Sequence, residues 1–523
     1  MLYLDSDEAR WEALEIGLAS GSVPSTIVDP QLNADSLCAL EPSVIEPCAN
    51  GMSLVLSTPT SSWALLDRNE CQIASSLTSP RTLKELSASW PEIAKANICE
   101  FLTRLYQRGL LRVDNVPGVQ PSLLKGGALH HDAHLVEIFV TQKCNLGCKY
   151  CSAQAGSDMP HLDRDLARRA VDQAFLLPAH LPLAIELAGG EPFVNFKLFC
   201  ELVLYIEKKS EELGRDVHLY TQTNGSTVTP RVVEFLKAHK ISVGVSLDGP
   251  ADLHNAARPR ANGNGSFDLV MRGISLLQKN GIRFGTITVL TRHNAKHPER
   301  MAQFFSAIGC RSVKINPVNL IGDAGDTWST VGITGEQYFE FLDNFMDATL
   351  QSRISLREAN LAECMKNIVF RVHEYRCMRS NCGAGQTFFV VDARGDVFPC
   401  AHSTAIDSWK LGSVGDAERV GGFVALGAGN QAVTAIARRR VDDMPATSAC
   451  PWRHFCEGGC AVNAFKANGA IPTKDPLCSF YERMYPRLFQ RLATSPDTFQ
   501  ELLNSQLGAG VARTEAFKLY SQV

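Results

Sequence analysis

The sequence lacks several features that would assign it to a broad class of protein. None of its apolar runs reaches the roughly 18 residues that a membrane-spanning helix needs. Its first eight residues, Met1 to Glu8, contain neither the basic nor the apolar segment of a secretion signal. The chain has 51 Lys and Arg residues and 55 Asp and Glu residues, which gives a net charge of −4. It therefore lacks the excess of basic residues that is typical of nucleic-acid-binding proteins. We therefore expect a cytoplasmic protein with no membrane and no nucleic-acid partner.

Cysteine, by contrast, is abundant, with 17 copies in 523 residues. A cytoplasmic chain keeps its thiols reduced, so clustered cysteines predict metal binding or catalysis rather than disulfides. Ten of them fall into two clusters, at 144–151 and 377–478. The others are scattered, as is typical of small buried apolar side chains: Cys38, Cys48, Cys71, Cys99, Cys200, Cys310 and Cys364.

Strand-like and helix-like segments alternate through the middle of the chain. The six strand candidates are 135–141, 183–188, 217–223, 241–247, 284–290 and 313–318. Six βα units in a row predict an α/β fold with a parallel sheet and right-handed crossovers, either doubly wound or a partial (β/α)6 TIM-like barrel. In such folds the chemistry lies at the carboxyl ends of the strands.

The flanking segments have different patterns. Two strands, three helices and a final strand predict a small winged-helix module before the barrel. After the barrel, Cys, Gly and Pro interrupt the chain, and such a loop-rich segment would need metal to hold its shape. The domains we predict are an unassigned segment at 1–50, the module at 51–115, a linker at 116–133, the barrel at 134–345, the loop-rich segment at 364–485 and a helical tail at 486–523.

The first cysteine cluster follows the first strand of the barrel directly. Cys144, Cys148 and Cys151 have the spacing C-x3-C-x2-C. Three such thiolates can hold one face of an iron–sulfur cubane, which normally takes four, and leave one iron open to a small molecule. Two alternatives stay open: a zinc knuckle, which would need a fourth Cys or His nearby, and three unrelated buried cysteines.

This spacing, with the aromatic Tyr150 before the last cysteine, resembles the radical S-adenosylmethionine (SAM) superfamily. The resemblance implies a [4Fe–4S] cluster on these three cysteines, with the methionine group of SAM on the open iron. An electron from the cluster would then cleave SAM to methionine and a 5′-deoxyadenosyl radical.

Motifs after the later strands extend the resemblance. The family uses such positions for SAM, which implies contacts from Gly189, Gly190 and Glu191 to the methionine amine, from Asn224, Ser246 and Asp248 to the cofactor (Asp248 at the ribose), and from Arg258 to the methionine carboxylate. The alternatives are a plain Gly-Gly-Glu-Pro turn, strand-end capping and a solvated arginine.

The second cysteine cluster resembles the SPASM extension, which carries auxiliary [4Fe–4S] clusters in peptide-modifying radical SAM enzymes. The resemblance implies one or two such clusters here. The implied ligand sets are Cys377, Cys382, Cys400 and Cys460 for one cluster, and Cys450, Cys456 and Cys478 for the other.

The second set departs from the family pattern, because Thr447 stands where the usual first cysteine would be. Its cluster could have an open iron for a substrate thiolate, or take His454 or Cys364 as its fourth ligand. The alternative is a degraded site that holds zinc or nothing.

The module at 51–115 resembles the peptide-binding winged-helix element of maturases of ribosomally made peptides, which bind an extended leader by strand addition. The implied function is crosslinking of a precursor peptide, with an electron donor such as flavodoxin or ferredoxin. One alternative is sulfatase-type oxidation of a protein Cys or Ser, which Ala401-His402 weakens because that family has an acid just after the cysteine equivalent to Cys400. The other is a zinc-stabilised winged-helix regulator.

Overall fold

The structure is a computed structural model that describes residues 30–118, 133–370 and 375–507. Most of the segment predicted as unassigned (1–29), most of the predicted linker (119–132), four residues of the loop-rich segment (371–374) and the end of the predicted tail (508–523) lie outside the described residues.

Two small antiparallel sheets and three helices form the amino-terminal part of the described chain. One sheet has the order β5-β1-β6-β7 and the other the order β2-β3-β4. The strands are β1 (Leu37–Leu40), β2 (Ser43–Pro47), β3 (Ser53–Ser57), β4 (Trp63–Leu66), β5 (Arg81–Thr82), β6 (Leu111–Val113) and β7 (Val116–Pro117), and the helices are α1 (Arg68–Ser76), α2 (Leu83–Ser89) and α3 (Lys95–Gln107). Strands β1 and β2 lie within residues 1–50, where the sequence shows no clear hydrophobic periodicity.

The sheet β2-β3-β4 lies between two hydrophobic cores. Because successive side chains of a strand point to opposite faces, Leu54 and Leu56 pack into the central core while Val55 packs into the amino-terminal core. Trp63 on β4 packs with the central core and donates its indole N–H to the carbonyl of Ile368 at 3.0 Å. This sheet therefore joins the amino-terminal part to the rest of the protein.

A ten-stranded sheet forms the centre of the protein, with the order β14-β13-β12-β11-β10-β9-β8-β15-β16-β17. Its strands are β8 (His134–Thr141), β9 (Leu183–Gly189), β10 (Val217–Thr223), β11 (Ser242–Ser246), β12 (Phe284–Leu290), β13 (Ser312–Pro317), β14 (Arg357–Glu358), β15 (Phe388–Val391), β16 (Asp396–Phe398) and β17 (Gly412–Ser413). Strands β8 to β13 are parallel neighbours in chain order. The predicted α/β fold, with a parallel sheet of the partial-barrel kind, is confirmed.

Helices connect these strands and cover the sheet. They are α4 (Arg164–Phe175), α5 (Phe196–Leu213), α6 (Pro230–Ala238), α7 (Ala251–Ala257), α8 (Phe267–Lys279), α9 (Pro298–Ala307), α10 (Ala324–Val331), α11 (Gly335–Gln351) and α12 (Ala359–Phe370). Side-chain caps start several of them; Asp163, for example, accepts from the backbone N–H of Leu166 at 3.0 Å at the start of α4.

The carboxy-terminal part contains more helix than the sequence predicted. Its helices are α13 (Val414–Val420), α14 (Phe423–Ala428), α15 (Gln431–Arg438), α16 (Arg453–Cys456), α17 (Ala461–Asn468), α18 (Cys478–Thr494) and α19 (Pro496–Leu507). Five of these are four to eight residues long, too short for an apolar period to show in the sequence. Among the described helices none is long and apolar enough to cross a bilayer.

Candidate functional site

The loops after the barrel strands surround a cavity of about 490 Å³. Its lining includes Cys144, Cys148 and Cys151, which the sequence predicted to act together. Arg258 and Asn224 also line the cavity, although they follow different strands. The carboxyl end of the sheet is thus the place where the predicted site residues meet, as is usual for folds of this kind.

Backbone N–H groups of the first cysteine loop point at two of the thiols. Leu146 N–H donates to the sulfur of Cys144 at 3.4 Å, and Ala155 N–H donates to that of Cys151 at 3.4 Å. Such N–H···S contacts stabilise a thiolate and tune a bound cluster.

The three thiols of this loop also influence one another. Burial raises the pKa of Cys144 to about 11 and that of Cys148 to about 12, with the neighbouring thiols contributing to both shifts. Three thiolates gathered in one cavity therefore need a positive counter-charge. An iron–sulfur cluster supplies it, so the donor set fits the group that the sequence predicts.

A single zinc ion suits these cysteines less well. Thiolates around one zinc ion all lie about 2.3 Å from it. Within the described part of the chain, no three Cys, His, Asp or Glu side chains are placed to share one metal ion. Thiolates on separate corners of a cubane lie farther apart, because each binds a different iron.

Gly189 and Gly190 are needed for the close approach of two loops. Gly189 has φ +133°, and a Cβ atom there would lie 2.0 Å from the carbonyl oxygen of Thr141. A Cβ atom on Gly190 would lie 2.3 Å from the carbonyl oxygen of Lys143. The glycines therefore hold the loop after β9 against the start of the cysteine loop.

Glu191 is fully buried and accepts four hydrogen bonds. Its donors are the hydroxyl groups of Thr223 and Thr227, both at 2.7 Å, and the backbone N–H groups of Asn224 at 2.7 Å and Phe193 at 3.3 Å. This carboxylate thus ties the loop after β9 to the loop after β10. Its predicted contact with an amino group of SAM stays a prediction.

Asn224 connects the loop after β10 to the first cysteine. Its amide nitrogen lies 3.8 Å from the sulfur of Cys144 and donates to the side chain of Asn145 at 2.9 Å. Ser246, at the end of β11, is buried and lines the same cavity. Both residues line the cavity that also contains the three cysteines, and their contacts with the cofactor stay predictions.

Asp248 and Arg258 form a buried ion pair at the edge of the cavity. The Nε atom of Arg258 lies 3.0 Å from an oxygen of Asp248, and the Tyr150 hydroxyl donates to the same carboxylate. The guanidinium of Arg258 stacks over the Tyr150 ring, 5.2 Å from its centroid, and its Nη1 atom lies 4.0 Å from the sulfur of Cys148. The pair therefore fixes Tyr150 beside the cysteines, a role that the sequence did not reveal.

The second cysteine cluster separates into two groups with the membership of the implied ligand sets, and their binding of metal stays a prediction. Cys377, Cys382, Cys400 and Cys460 all line the same cavity as the first cluster. Burial raises the pKa of Cys400 to about 12, and the thiols of Cys382 and Cys377 add to the shift. The first set thus shares its cavity with the first cluster.

The second set lies apart from this lining. Burial raises the pKa of Cys456, with Cys450 and Cys478 among the causes, so these three thiols are neighbours of one another. The Thr447 hydroxyl donates to the carbonyl oxygens of Val441 and Met444.

Comparison with known families identifies the core of the chain. The family model described as the Radical SAM superfamily matches residues 138–305. This span is a radical SAM domain. It contains the first cysteine cluster and the loops that surround it, and the chain is accordingly a radical SAM enzyme.

Characterised relatives share most of their length with this chain. The cysteine-type anaerobic sulfatase-maturating enzyme of Clostridium perfringens is 24% identical over 363 residues, which cover 67% of this chain and 94% of that enzyme. The serine-type anaerobic sulfatase-maturating enzyme of Bacteroides thetaiotaomicron is 24% identical over 404 residues, which cover 71% of this chain and 92% of that enzyme.

Solved structures show the same fold. The structure of anSMEcpe with bound AdoMet has a TM-score of 0.60 at 20% identity and covers 69% of this chain and 99% of its own. Streptococcus suis SuiB bound to precursor peptide SuiA has a TM-score of 0.51 at 16% identity and covers 85% of this chain and 98% of its own. The chain fits the radical SAM/SPASM family, with SAM and a [4Fe–4S] cluster as cofactors and auxiliary clusters typical of it.

The cavity is also lined by polar groups that the sequence analysis missed. Glu137 on β8 and Glu186 on β9 are partners in register and both line the cavity, together with Lys314 on β13. Burial lowers the pKa of His402, another lining residue, to about 4, so its imidazole is neutral near pH 7. A charged residue inside the apolar run of β8 was the only signal for this feature.

Because two carboxyl groups share the cavity, Glu137→Gln should stabilise the protein in a pH-dependent way. Burial and the neighbouring Glu186 raise the pKa of Glu137 to about 8, whereas an unfolded chain releases this proton near pH ~4.3. Between these values the native state binds more protons, so stability falls as the pH rises. We expect Glu137→Gln to raise the melting temperature more at pH 8 than at pH 6. Each kcal/mol of added unfolding free energy should raise the melting temperature by about 2–4 °C. A gain that does not grow with pH would show that Glu137 is ionised throughout.

Proposed function

We propose that this radical SAM enzyme modifies a ribosomally synthesised precursor peptide and forms a crosslink in it after hydrogen abstraction. The observation that carries the proposal is the amino-terminal unit with its own core, packed beside the barrel. The sulfatase-maturating relatives align with 67% and 71% of this chain, whereas the SuiB fold covers 85% of it. SuiB was solved with a precursor peptide bound.

In this proposal Cys144, Cys148 and Cys151 hold the [4Fe–4S] cluster. When bound there, the reduced cluster and SAM supply a 5′-deoxyadenosyl radical, which takes a hydrogen atom from the peptide. Asn224 and Arg258, which lie 3.8 Å and 4.0 Å from two of the sulfurs, shape the space beside the cluster. The Asp248–Arg258 pair keeps this space closed on one side by fixing Tyr150.

The two further cysteine sets have separate roles in the proposal. Cys377, Cys382, Cys400 and Cys460 hold one auxiliary cluster at the shared cavity, within reach of a substrate bound there. Cys450, Cys456 and Cys478 hold the second, on the side away from the cavity lining. An external donor such as flavodoxin or ferredoxin supplies the electrons.

Residues 51–115 are the proposed leader-binding module, and β2, which lies just before them in the chain, pairs with their strand β3. Within the described chain, β2 pairs only with β3, so the other edge of β2 has backbone groups without a strand partner. An extended peptide can add to such an edge through main-chain hydrogen bonds. The sheet β2-β3-β4 also contacts the central core through Trp63, which links the docked leader to the barrel.

Crosslinking removes a hydrogen atom, a proton and an electron from the peptide, and in this proposal the auxiliary cluster at the shared cavity would accept the electron. His402 lines the cavity, and its imidazole is the group that we propose accepts the proton. Sulfatase-type oxidation is the second candidate, and the names of the relatives favour it. His402 is placed to serve either reaction.

Mass spectrometry of co-expressed peptides tests the proposal. Short open reading frames beside the gene would be expressed anaerobically with the enzyme. We expect one peptide to lose two hydrogen atoms, with fragment ions absent between two linked residues of its carboxy-terminal part, and a leaderless version to stay unmodified. Conversion of a single Cys or Ser to an aldehyde, with normal fragmentation on both sides, would contradict crosslinking and establish the second candidate. The Cys148→Ala enzyme is the control for background oxidation.

A further inference from the structure

The set formed by Cys450, Cys456 and Cys478 has three thiols, because Thr447 occupies the position of the first cysteine of the family pattern. Thr447 is only 4% exposed, and its hydroxyl lies 3.1 Å from the carbonyl oxygen of Val441 and 3.2 Å from that of Met444. The side chain therefore stabilises its own turn, and a different residue must complete the set if it is completed by the protein.

Glu482 lies beside these thiols. It follows Cys478 by one helical turn on α18, and residues four apart share one face of a helix. Its Oε1 atom lies 3.4 Å from the sulfur of Cys478. The charge of Glu482 also contributes to raising the pKa of Cys450, so the carboxylate faces two of the three thiols.

The two other candidate ligands lie against other groups. His454 lies 3.1 Å from Asp442 through its Nε2 atom and 3.7 Å from Glu457 through its Nδ1 atom. Cys364 is 1% exposed, in α12, and it lines the central cavity with the other ligand set.

Lys474 completes the surroundings of this group. Its ammonium lies 3.2 Å from the Oε1 atom of Glu482, and the charge of Cys478 is the main reason that its pKa is raised. One lysine thus faces both the carboxylate and the thiols. This arrangement lets an additional negative group remain close to three thiolates.

We infer that the Glu482 carboxylate is the fourth protein ligand of the iron–sulfur site held by Cys450, Cys456 and Cys478. The inference rests on the proposed function, in which these cysteines hold an auxiliary cluster. Iron accepts carboxylate oxygen as well as thiolate ligands. A cluster ligated in this way has no iron open to a substrate, so its role is electron transfer rather than substrate anchoring.

Electron paramagnetic resonance (EPR) of the reduced, reconstituted full-length enzyme tests the inference. A background with Cys144, Cys148 and Cys151 changed to Ala removes the signal of the first cluster. In it we compare the parent with Glu482→Gln and Glu482→Ala, using 2-mercaptoethanol as a probe for an open iron. Glu482 is 42% exposed, so neither change leaves a cavity. Glu336→Ala, which removes another exposed carboxylate paired with α18 through Arg483, is the control.

We expect the parent and Glu336→Ala to have the same spectrum, and 2-mercaptoethanol should not change it. Both Glu482 variants should have shifted g values, and their spectra should change when 2-mercaptoethanol is added. A parent spectrum that responds to the thiol would overturn the inference, because its iron would be open. Variant spectra identical to the parent would overturn it as well. A Cys450→Ala variant that loses neither iron nor signal would instead contradict the auxiliary cluster itself.

Discussion

The Cys148→Ala enzyme should form no more 5′-deoxyadenosine from SAM than a blank without protein. Cys148 lies in the middle of the first cysteine loop, and its sulfur is 4.0 Å from Arg258. Two remaining thiols cannot hold a cubane in the cavity, so we expect the bound iron to fall by about four atoms per chain. Iron and sulfide analysis after anaerobic reconstitution, with chromatography of the nucleoside products, measures both effects.

A matched cysteine substitution controls this experiment. Cys200→Ala changes a half-buried cysteine on α5, outside all three ligand sets. It should retain the full iron content and full SAM cleavage. Equal losses in the two variants would mean that the effect of Cys148→Ala comes from general damage to the fold and not from the loss of a ligand.

Asp248→Ala should cause the largest loss of stability. The carboxylate is fully buried and is the ion-pair partner of Arg258, which is 7% exposed. Removing one member of a buried pair leaves an uncompensated charge and costs about 3–5 kcal/mol. Each kcal/mol lowers the melting temperature of a domain of this size by about 2–4 °C. Anaerobic scanning fluorimetry of the reconstituted enzyme measures this shift.

Two further variants separate the buried pair from a general effect. Asp252→Ala breaks an exposed ion pair with Arg300, which should cost about 1 kcal/mol or less. Adding Arg258→Met to Asp248→Ala removes the uncompensated charge and should recover part of the lost stability. A double variant that melts below Asp248→Ala would show that the two residues do not compensate each other.

The barrel could be predicted because most of its strands are rich in apolar residues and are separated by helical segments. Strands β10 and β12 begin and end at the residues predicted from the sequence. Strands β14 and β17 have only two residues each, so they are too short to show the alternation of apolar and polar residues that predicts a strand. The pairing of β15 with β8 joins residues about 250 positions apart, and no local pattern encodes such a contact.

The cysteine sets were expected from the resemblance of their pattern to a known family, and their roles as ligands stay predictions. The contacts that surround the cysteines could not be predicted from the sequence. Tyr150 is 98 positions from Asp248 in sequence, and the two meet because parallel strands end at one edge of the sheet. Gly190 was expected to approach a ligand closely, and the structure shows it packed against the carbonyl oxygen of Lys143.

Anaerobic incubation of the reconstituted wild-type enzyme with SAM and dithionite tests the central claim most directly. The account predicts 5′-deoxyadenosine and methionine in equal amounts, together with a change in the EPR spectrum of the reduced cluster when SAM is added. Protein that carries its full complement of iron and sulfide, yet leaves SAM intact and shows the same spectrum with and without it, would contradict the account.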